Sequence, residues 1–330
     1  MKKYKRINKL LGKGAFGEVY LCEMDNKYYA LKKFNDKYQY YVEVDILNKL
    51  DHPNIVKIYE HDNIEHVSVM EYCDGGTFND IVLRNKELSK SSDYNQIEKN
   101  TLFYLCQLKD SLVYLRNKGI FHRDLKKQNI LLKKSDNGLL VKLCDFGLAK
   151  SSNDIVKENN KICGSPLYMA PEFILNGNYS VRSDIWSFGI VMYELLFFKT
   201  PYIADSVDQL KENIKKDDIS FPENVYSVEC INLLKSILIK NHRKRISWNK
   251  LTNHIWFKQV ASINEKMDYS SLDFYECQKN NENIFMSVSN DDLIYEKDIF
   301  FLKKIRTKNI HKLFYENLSK FHKLFSMLSN

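Results

Sequence analysis

Gly12-Lys13-Gly14-Ala15-Phe16-Gly17-Glu18-Val19 gathers glycines near the start of the chain. Glycine lets backbone N–H groups approach a bound anion, so a G-x-G-x-x-G run can lie over a phosphate chain. The same pattern serves dinucleotide-binding folds, where a helix opens after the third glycine. Here Glu18 to Cys22 reads as a strand. That leaves either a phosphate-covering hairpin or a purely structural one. Lys32, in Ala30-Leu31-Lys32, is the next residue with chemical potential. Its ammonium could reach nucleotide phosphates if a carboxylate held it in place, and Glu43, on the following helix, is the candidate. The alternative for this pair is an ordinary solvated ion pair, as most such pairs are.

Further on, His122-Arg123-Asp124-Leu125-Lys126-Lys127-Gln128-Asn129 is followed by Asp145-Phe146-Gly147 and then by Ala170-Pro171-Glu172. Taken in order with the glycine run, Lys32 and Glu43, these motifs resemble the eukaryotic-type Ser/Thr protein kinases, over residues 4 to about 257. The resemblance implies transfer of the γ-phosphoryl group of ATP to serine or threonine hydroxyls of protein substrates. Magnesium is the implied ion, with manganese as the alternative. Gly12, Gly14 and Gly17 would cover the phosphates, and Lys32, paired with Glu43, would contact the α- and β-phosphates. Asn129 and Asp145 would hold the metal. Asp124 would orient the acceptor hydroxyl and take its proton, and Lys126 would steady the γ-phosphate. Val19, Ala30 and Leu131 match the apolar positions that sandwich adenine, and Leu11 joins the nucleotide-binding set. Met70 matches the gatekeeper, and Glu71-Tyr72-Cys73 the hinge. Such chemistry depends on positioning and cationic stabilisation more than on covalent participation by the protein.

The resemblance also assigns structural roles. Leu47, His122 and Phe146 match the spine linking the lobes, Asp184 matches the anchor of the catalytic loop, and Glu172 is expected to pair with Arg245. Gly164-Ser165-Pro166-Leu167-Tyr168-Met169 resembles the P+1 loop of Ser/Thr kinases, most like the unc-51-like and calmodulin-kinase-like groups. Ser165 is expected to bond to the catalytic loop. Ile162, Pro166 and Met169 would line an apolar P+1 pocket, and Leu148 goes with serine acceptors. Thr77 and Gln128 stand neutral where basophilic relatives carry carboxylates. The expected substrate is therefore a serine followed by a hydrophobic residue. Three departures stand out: Lys127 replaces a usual proline, the interval from Lys32 to Glu43 is short, and Lys161 occupies the place of an activating phosphothreonine. No threonine lies between Asp145 and Glu172. Asp154 or Glu158 could supply the missing charge, so activity without phosphorylation is expected. Cys73 and Cys144 read as small buried hydrophobes, with electrophile reactivity as the alternative.

The elements that must position these residues follow from the pattern of β-formers and helical spacing. Strands come early (Glu18–Cys22, Lys27–Lys32, Ile55–Tyr59, Val67–Met70) with a helix over Tyr40–Leu50. Long helices come late, at Thr101–Lys118 and Ser183–Phe198, and the polar stretch Ser89–Asn100 reads as a loop. The fold class is α+β: a bilobal kinase fold with a small antiparallel sheet and one helix in residues 1–70, a hinge over 71–76, and a mainly helical lobe over 77–258. A tail, 259–330, begins as a linker. It ends in an amphipathic stretch with Phe314, Leu318, Phe321, Phe325 and Leu328 at helical spacing, suited to packing on the helical lobe or to docking on a partner or membrane surface.

Composition sets the outer bounds. The chain has 330 residues with 50 Lys plus Arg against 42 Asp plus Glu, a net charge of +8. The basic residues are scattered, which argues against nucleic acid as a partner. The longest apolar run, Ser187–Phe198, is too short to span a membrane and carries Glu194. Seven dispersed cysteines without a C-x-x-C pair read as free thiols in a reducing compartment. The N-terminus shows no apolar segment behind its charges, so a cytoplasmic location is expected, that of a host if the AT-rich compositional skew is viral rather than protozoan.

Overall fold

The computed structural model describes residues 4–136, 138–152, 162–222 and 224–259, apart from the side chain of residue 8. The first lobe is a five-stranded antiparallel sheet: β1 (Lys5–Gly14), β2 (Gly17–Met24), β3 (Lys27–Phe34), β4 (Ile58–Asp62) and β5 (Val67–Glu71), in the order β1-β2-β3-β5-β4. Two tight turns set the register. Ala15-Phe16 joins β1 to β2, where Gly14 pairs with Gly17. Asp25 and Asn26 join β2 to β3 with φ of 52° and 58°, the left-handed pair that suits a twisted hairpin. The strand expected from Ile55 starts three residues later, because Ile55 reaches past the sheet to bridge Leu143 in the other lobe.

Helix α1 (Lys37–Leu47) follows β3 after only Asn35 and Asp36. It begins before the expected Tyr40 because Asp36 caps it, accepting from the Gln39 N–H at 3.0 Å. It ends at Leu47 rather than Leu50. Its inner face buries Tyr40, Glu43, Val44 and Leu47, so the one acidic residue on that face points at the sheet.

In the second lobe, α2 (Phe78–Lys90) and α3 (Tyr94–Asn117) form a helical pair. Most of the segment Ser89–Asn100, expected as a loop, is helical. Only Ser91–Asp93 separate the two helices. Asp93 caps α3 on the Gln96 N–H, and Ile97, Asn100 and Thr101 are buried, so polar composition hid an amphipathic first turn. Gly119, at φ 67°, follows the end of α3 as expected. Short strands β6 (Ile120–Phe121), β7 (Ile130–Ser135), β8 (Gly138–Leu143) and β9 (Lys150–Ser151) carry the loops between. A short α4 (Pro171–Asn176) leads to α5 (Ser183–Phe197), which is buried at every position from Ser183 to Leu196. A helix apolar on all sides belongs at the centre of a lobe, and that is where it lies.

The lobes meet at Tyr72–Thr77, between β5 and α2. Gly75 donates to the Leu132 carbonyl at 2.7 Å and Leu132 donates to the Gly76 carbonyl at 2.8 Å, clamping the connection onto β7. The tail and its amphipathic stretch, together with Asp154, Glu158 and Lys161, lie outside the described residues. Among the described residues no helix is long and apolar enough to cross a membrane, and the cysteines are free thiols.

Candidate active site

The glycine run forms the β1–β2 hairpin, and β2 follows its third glycine directly, which removes the dinucleotide-type alternative. The three glycines differ. Gly17, at φ 151°, packs so tightly that an added Cβ would meet the Lys33 carbonyl oxygen at 2.1 Å, so its lack of a side chain is a folding requirement. Gly12 and Gly14 have nothing within 4 Å of such a Cβ. Packing therefore gives no reason for glycine at those two positions, whereas close approach of backbone to a ligand does.

Beneath the hairpin, β3 carries Lys32 and α1 carries Glu43. Lys32 Nζ lies 2.6 Å from Glu43 Oε2 and 2.9 Å from Asp145 Oδ1. Lys32 is 7% exposed and Glu43 1%, so this is not the solvated surface pair of the alternative reading. Burial works against the Lys32 ammonium, but the attraction of Asp145 and Glu43 more than offsets it and raises its pKa. Burial, aided by repulsion from Asp145, pushes the Glu43 carboxyl up to about 7 in spite of Lys32. Asp145 is held low: burial opposes its charge, and Lys32 with Lys126 outweighs that. The cation is thus locked on and one carboxylate stays ionised. Asp145 sits at φ 65°, in the left-handed region that a non-glycine residue occupies only when its surroundings impose it.

Asp124 lies on the loop after β6, 3% exposed. Its Oδ2 faces Lys126 Nζ at 3.1 Å and accepts from Asn129 Nδ2, also at 3.1 Å. Its Oδ1 accepts twice from Ser165, from the N–H at 2.9 Å and the hydroxyl at 2.7 Å. Gly164, at φ 106°, makes that approach possible, since a Cβ there would stand 2.8 Å from the Arg123 carbonyl oxygen. Because Asn129 Nδ2 also donates to the Asp124 carbonyl at 2.9 Å, its amide oxygen is turned away from Asp124. That oxygen and the Asp145 carboxylate are hard donors, the set magnesium takes when phosphates and water complete its shell. Among the described residues there is no cluster of three or more acidic, His or Cys ligands, so such an ion would depend on the phosphates as well.

Of the residues expected to flank adenine, Val19 pairs with Lys32 across β2 and β3, Ala30 pairs with Met70 across β3 and β5, and Leu131 is bridged to Thr77. Leu11 lies at the β1 irregularity beside Gly12. The Glu71 N–H is used within the lobe, donating to Lys57 O at 2.8 Å. The Glu71 carboxylate faces Lys133 at 2.7 Å and Lys142 at 2.9 Å, tying the end of β5 to β7 and β8. Cys73 Sγ and Cys144 Sγ are largely enclosed, and burial pushes Cys73 up to about 12 and Cys144 well above its ordinary value.

The supporting residues fall where expected. Asp184 accepts from the His122 N–H at 3.0 Å and the Arg123 N–H at 3.2 Å, fixing the loop to α5. His122 and Phe146 pack edge to face at 4.9 Å, and Leu47 lies in the same core. Arg245 grips Glu172 with two nitrogens, each at 2.8 Å. Sequence reasoning missed the surroundings of Glu194, whose Oε1 accepts from Lys127 at 3.0 Å and whose Oε2 accepts from the Tyr168 hydroxyl at 2.5 Å. The signal was present: Glu194 is the lone charge in the apolar run of α5. Sequence reasoning also missed the two rings over which Arg123 lies, Tyr179 at 5.4 Å and Phe173 at 5.6 Å.

Comparison with known proteins agrees with this geometry. The protein kinase domain model matches residues 5–257. A mimivirus protein from Acanthamoeba polyphaga mimivirus, named as a serine/threonine-protein kinase, is 43% identical over 287 residues, covering 77% of this chain and 63% of that protein. Serine/threonine-protein kinase atg1 of Dictyostelium discoideum is 36% identical over 269 residues, 76% of this chain and 38% of that protein. Serine/threonine-protein kinase ATG1a of Arabidopsis thaliana is 32% identical over 274 residues, 77% of this chain and 41% of that protein. The chain thus spans less than two thirds of the length of these relatives.

Proposed function

The chain belongs to the protein kinase domain family, and from that premise we propose that it transfers the γ-phosphoryl group of ATP to serine hydroxyls of protein substrates. One observation carries the reading: Lys32, from the sheet lobe, is bound at once by Glu43 on α1 and by Asp145 from the helical lobe. This contact closes a phosphate-facing cation across the cleft. It fits an active enzyme, since Lys32, Asp124, Asn129 and Asp145 are all present and assembled.

The residues divide the work. Gly12 and Gly14 leave room for phosphates under the hairpin, and Lys32 would meet their negative charge. Asn129 and Asp145 would hold a divalent cation, magnesium by preference, which would neutralise charge on the phosphate oxygens. Asp124, with both oxygens already fixed, would receive the acceptor hydroxyl and its proton without reorienting. Lys126, beside Asp124, would balance charge on the transferred group. For the residue after the acceptor, partly buried Ile162 and Pro166 and buried Met169 offer an apolar seat, supporting a hydrophobic preference there.

Incubating the purified chain with γ-labelled ATP, a divalent cation and a serine peptide tests the proposal. Label should enter the peptide with wild type and not with Asp145→Asn. Equal label with both proteins would overturn the catalytic reading, and none with either would favour a binding scaffold.

A further inference from the structure

Glu194 is 3% exposed and lies on α5, the buried central helix of the second lobe. A carboxylate in that position needs a counter-charge as well as hydrogen bonds. Tyr168 supplies a hydrogen bond, and Lys127 supplies the charge, from a side chain that is itself 20% exposed. The two partners come from informative places. Lys127 lies three residues after Asp124, and Tyr168 three residues after Ser165, the residue that fixes the Asp124 carboxylate. Glu194 therefore joins the two segments that border the acceptor position, and its charge is met by the chain's own lysine.

We propose that Lys127 is a specificity-determining residue: it neutralises Glu194 from within and so closes what would be an anionic subsite for a basic substrate residue. The inference rests on the kinase reading above and deepens it. The physical reasoning is one of competition. A buried carboxylate with an open approach attracts a cation from whatever lies over it, and arginine, with its planar donor fork, is the best suited side chain. With Lys127 in place that attraction is already satisfied, and an incoming arginine would meet a cation instead. The neutrality of Thr77 and Gln128 points the same way, since neither offers a second carboxylate at the cleft.

The test is a peptide series in which arginine is walked through each position flanking an acceptor serine, with a matching series for glutamate. Wild type should gain nothing from arginine at any position. Lys127→Ala should gain about tenfold in kcat/KM for arginine at one or two positions, the size expected of one charge-assisted contact. Lys127→Arg should keep the wild-type profile. Glu194→Gln frees the Lys127 charge instead, and should favour glutamate over arginine at the same positions. A strong arginine preference in wild type would overturn the inference and needs no variant. So would unchanged profiles in either of the two single-charge variants, each checked for a cooperative melt. Wild type that phosphorylates no peptide at all would overturn the kinase reading, and this inference with it, whereas transfer with unaltered profiles would overturn the inference alone.

Discussion

Ser165 binds one oxygen of Asp124 twice, through its N–H at 2.9 Å and its hydroxyl at 2.7 Å. One residue thereby fixes the carboxylate to which the proposed function gives the acceptor proton. Ser165→Ala removes the hydroxyl contact and keeps the N–H. It should lower kcat about tenfold, the effect of one lost charge-assisted bond, and leave the KM for ATP unchanged. Steady-state kinetics with varied ATP and peptide will decide. A raised KM with unchanged kcat would mean that Ser165 positions substrate rather than Asp124.

Lys32→Met should reduce phosphoryl transfer by about 10²–10³, the usual loss when one preorganised charge is removed from such a site. Glu43→Gln should cost less, because Asp145 still holds Lys32. A single-turnover assay of both variants checks the order. Near wild-type transfer by Lys32→Met would remove Lys32 from the mechanism.

Burial raises the Glu172 carboxyl and Arg245 lowers it, and the net result is a pKa below the ordinary 4.5. A carboxyl depressed by folding adds stability above its unfolded value, and that stability is lost as pH falls through the folded value. Glu172→Gln leaves Arg245 buried without its charge partner and should cost about 3–5 kcal/mol at neutral pH. The difference in melting temperature from wild type should shrink as the buffer is taken below the ordinary carboxylate range. A difference that stayed constant across that range would show that the pair adds no charge-dependent stability.

With Cys73 pushed up to about 12, only about one thiol in ten thousand is ionised near pH 8. Cys144 is also pushed well above its ordinary value by burial and donates to the Asn129 carbonyl at 3.3 Å. Neither should react with iodoacetamide in the time that labels a free-cysteine peptide fully. Peptide mapping by mass spectrometry will show whether either carries the label in the folded chain.

Arg123 sits at φ 68° and is 7% exposed, with its guanidinium over the rings of Tyr179 and Phe173. Tyr179 in turn donates to Asp184 at 2.5 Å, the residue that anchors the catalytic loop. Arg123 is thus already engaged by rings of its own lobe, and phosphatase-treated enzyme should retain most of its activity. A large loss, restored by phosphate on Ser151 or Ser152, would contradict this.

The candidate site was legible in the sequence because its residues belong to short motifs, and the structure brings Lys32, Glu43 and Asp145 together as that reading expects. The glycine hairpin, Asp124 to Asn129, and Asp145-Phe146-Gly147 keep their internal geometry wherever the chain carries them. The strands of the first lobe and the helices α1, α3 and α5 were legible for the same local reason; α2 and the short strands β6 to β9 were not, and in Ser89–Asn100 a polar surface face masked the buried Ile97 and Asn100. What the sequence could not show was which reading of a pair applied. Lys32 and Asp145 are 113 positions apart, and only the closing of two lobes takes both out of water and makes their bond a buried one. Glu194 looked like an isolated charge in an apolar helix. Its partners lie 67 and 26 positions away on two separate loops. Contacts between distant segments depend on how whole elements pack, and local propensity carries no information about that packing; tertiary structure alone decided that Lys127 turns inward to Glu194 rather than out to solvent.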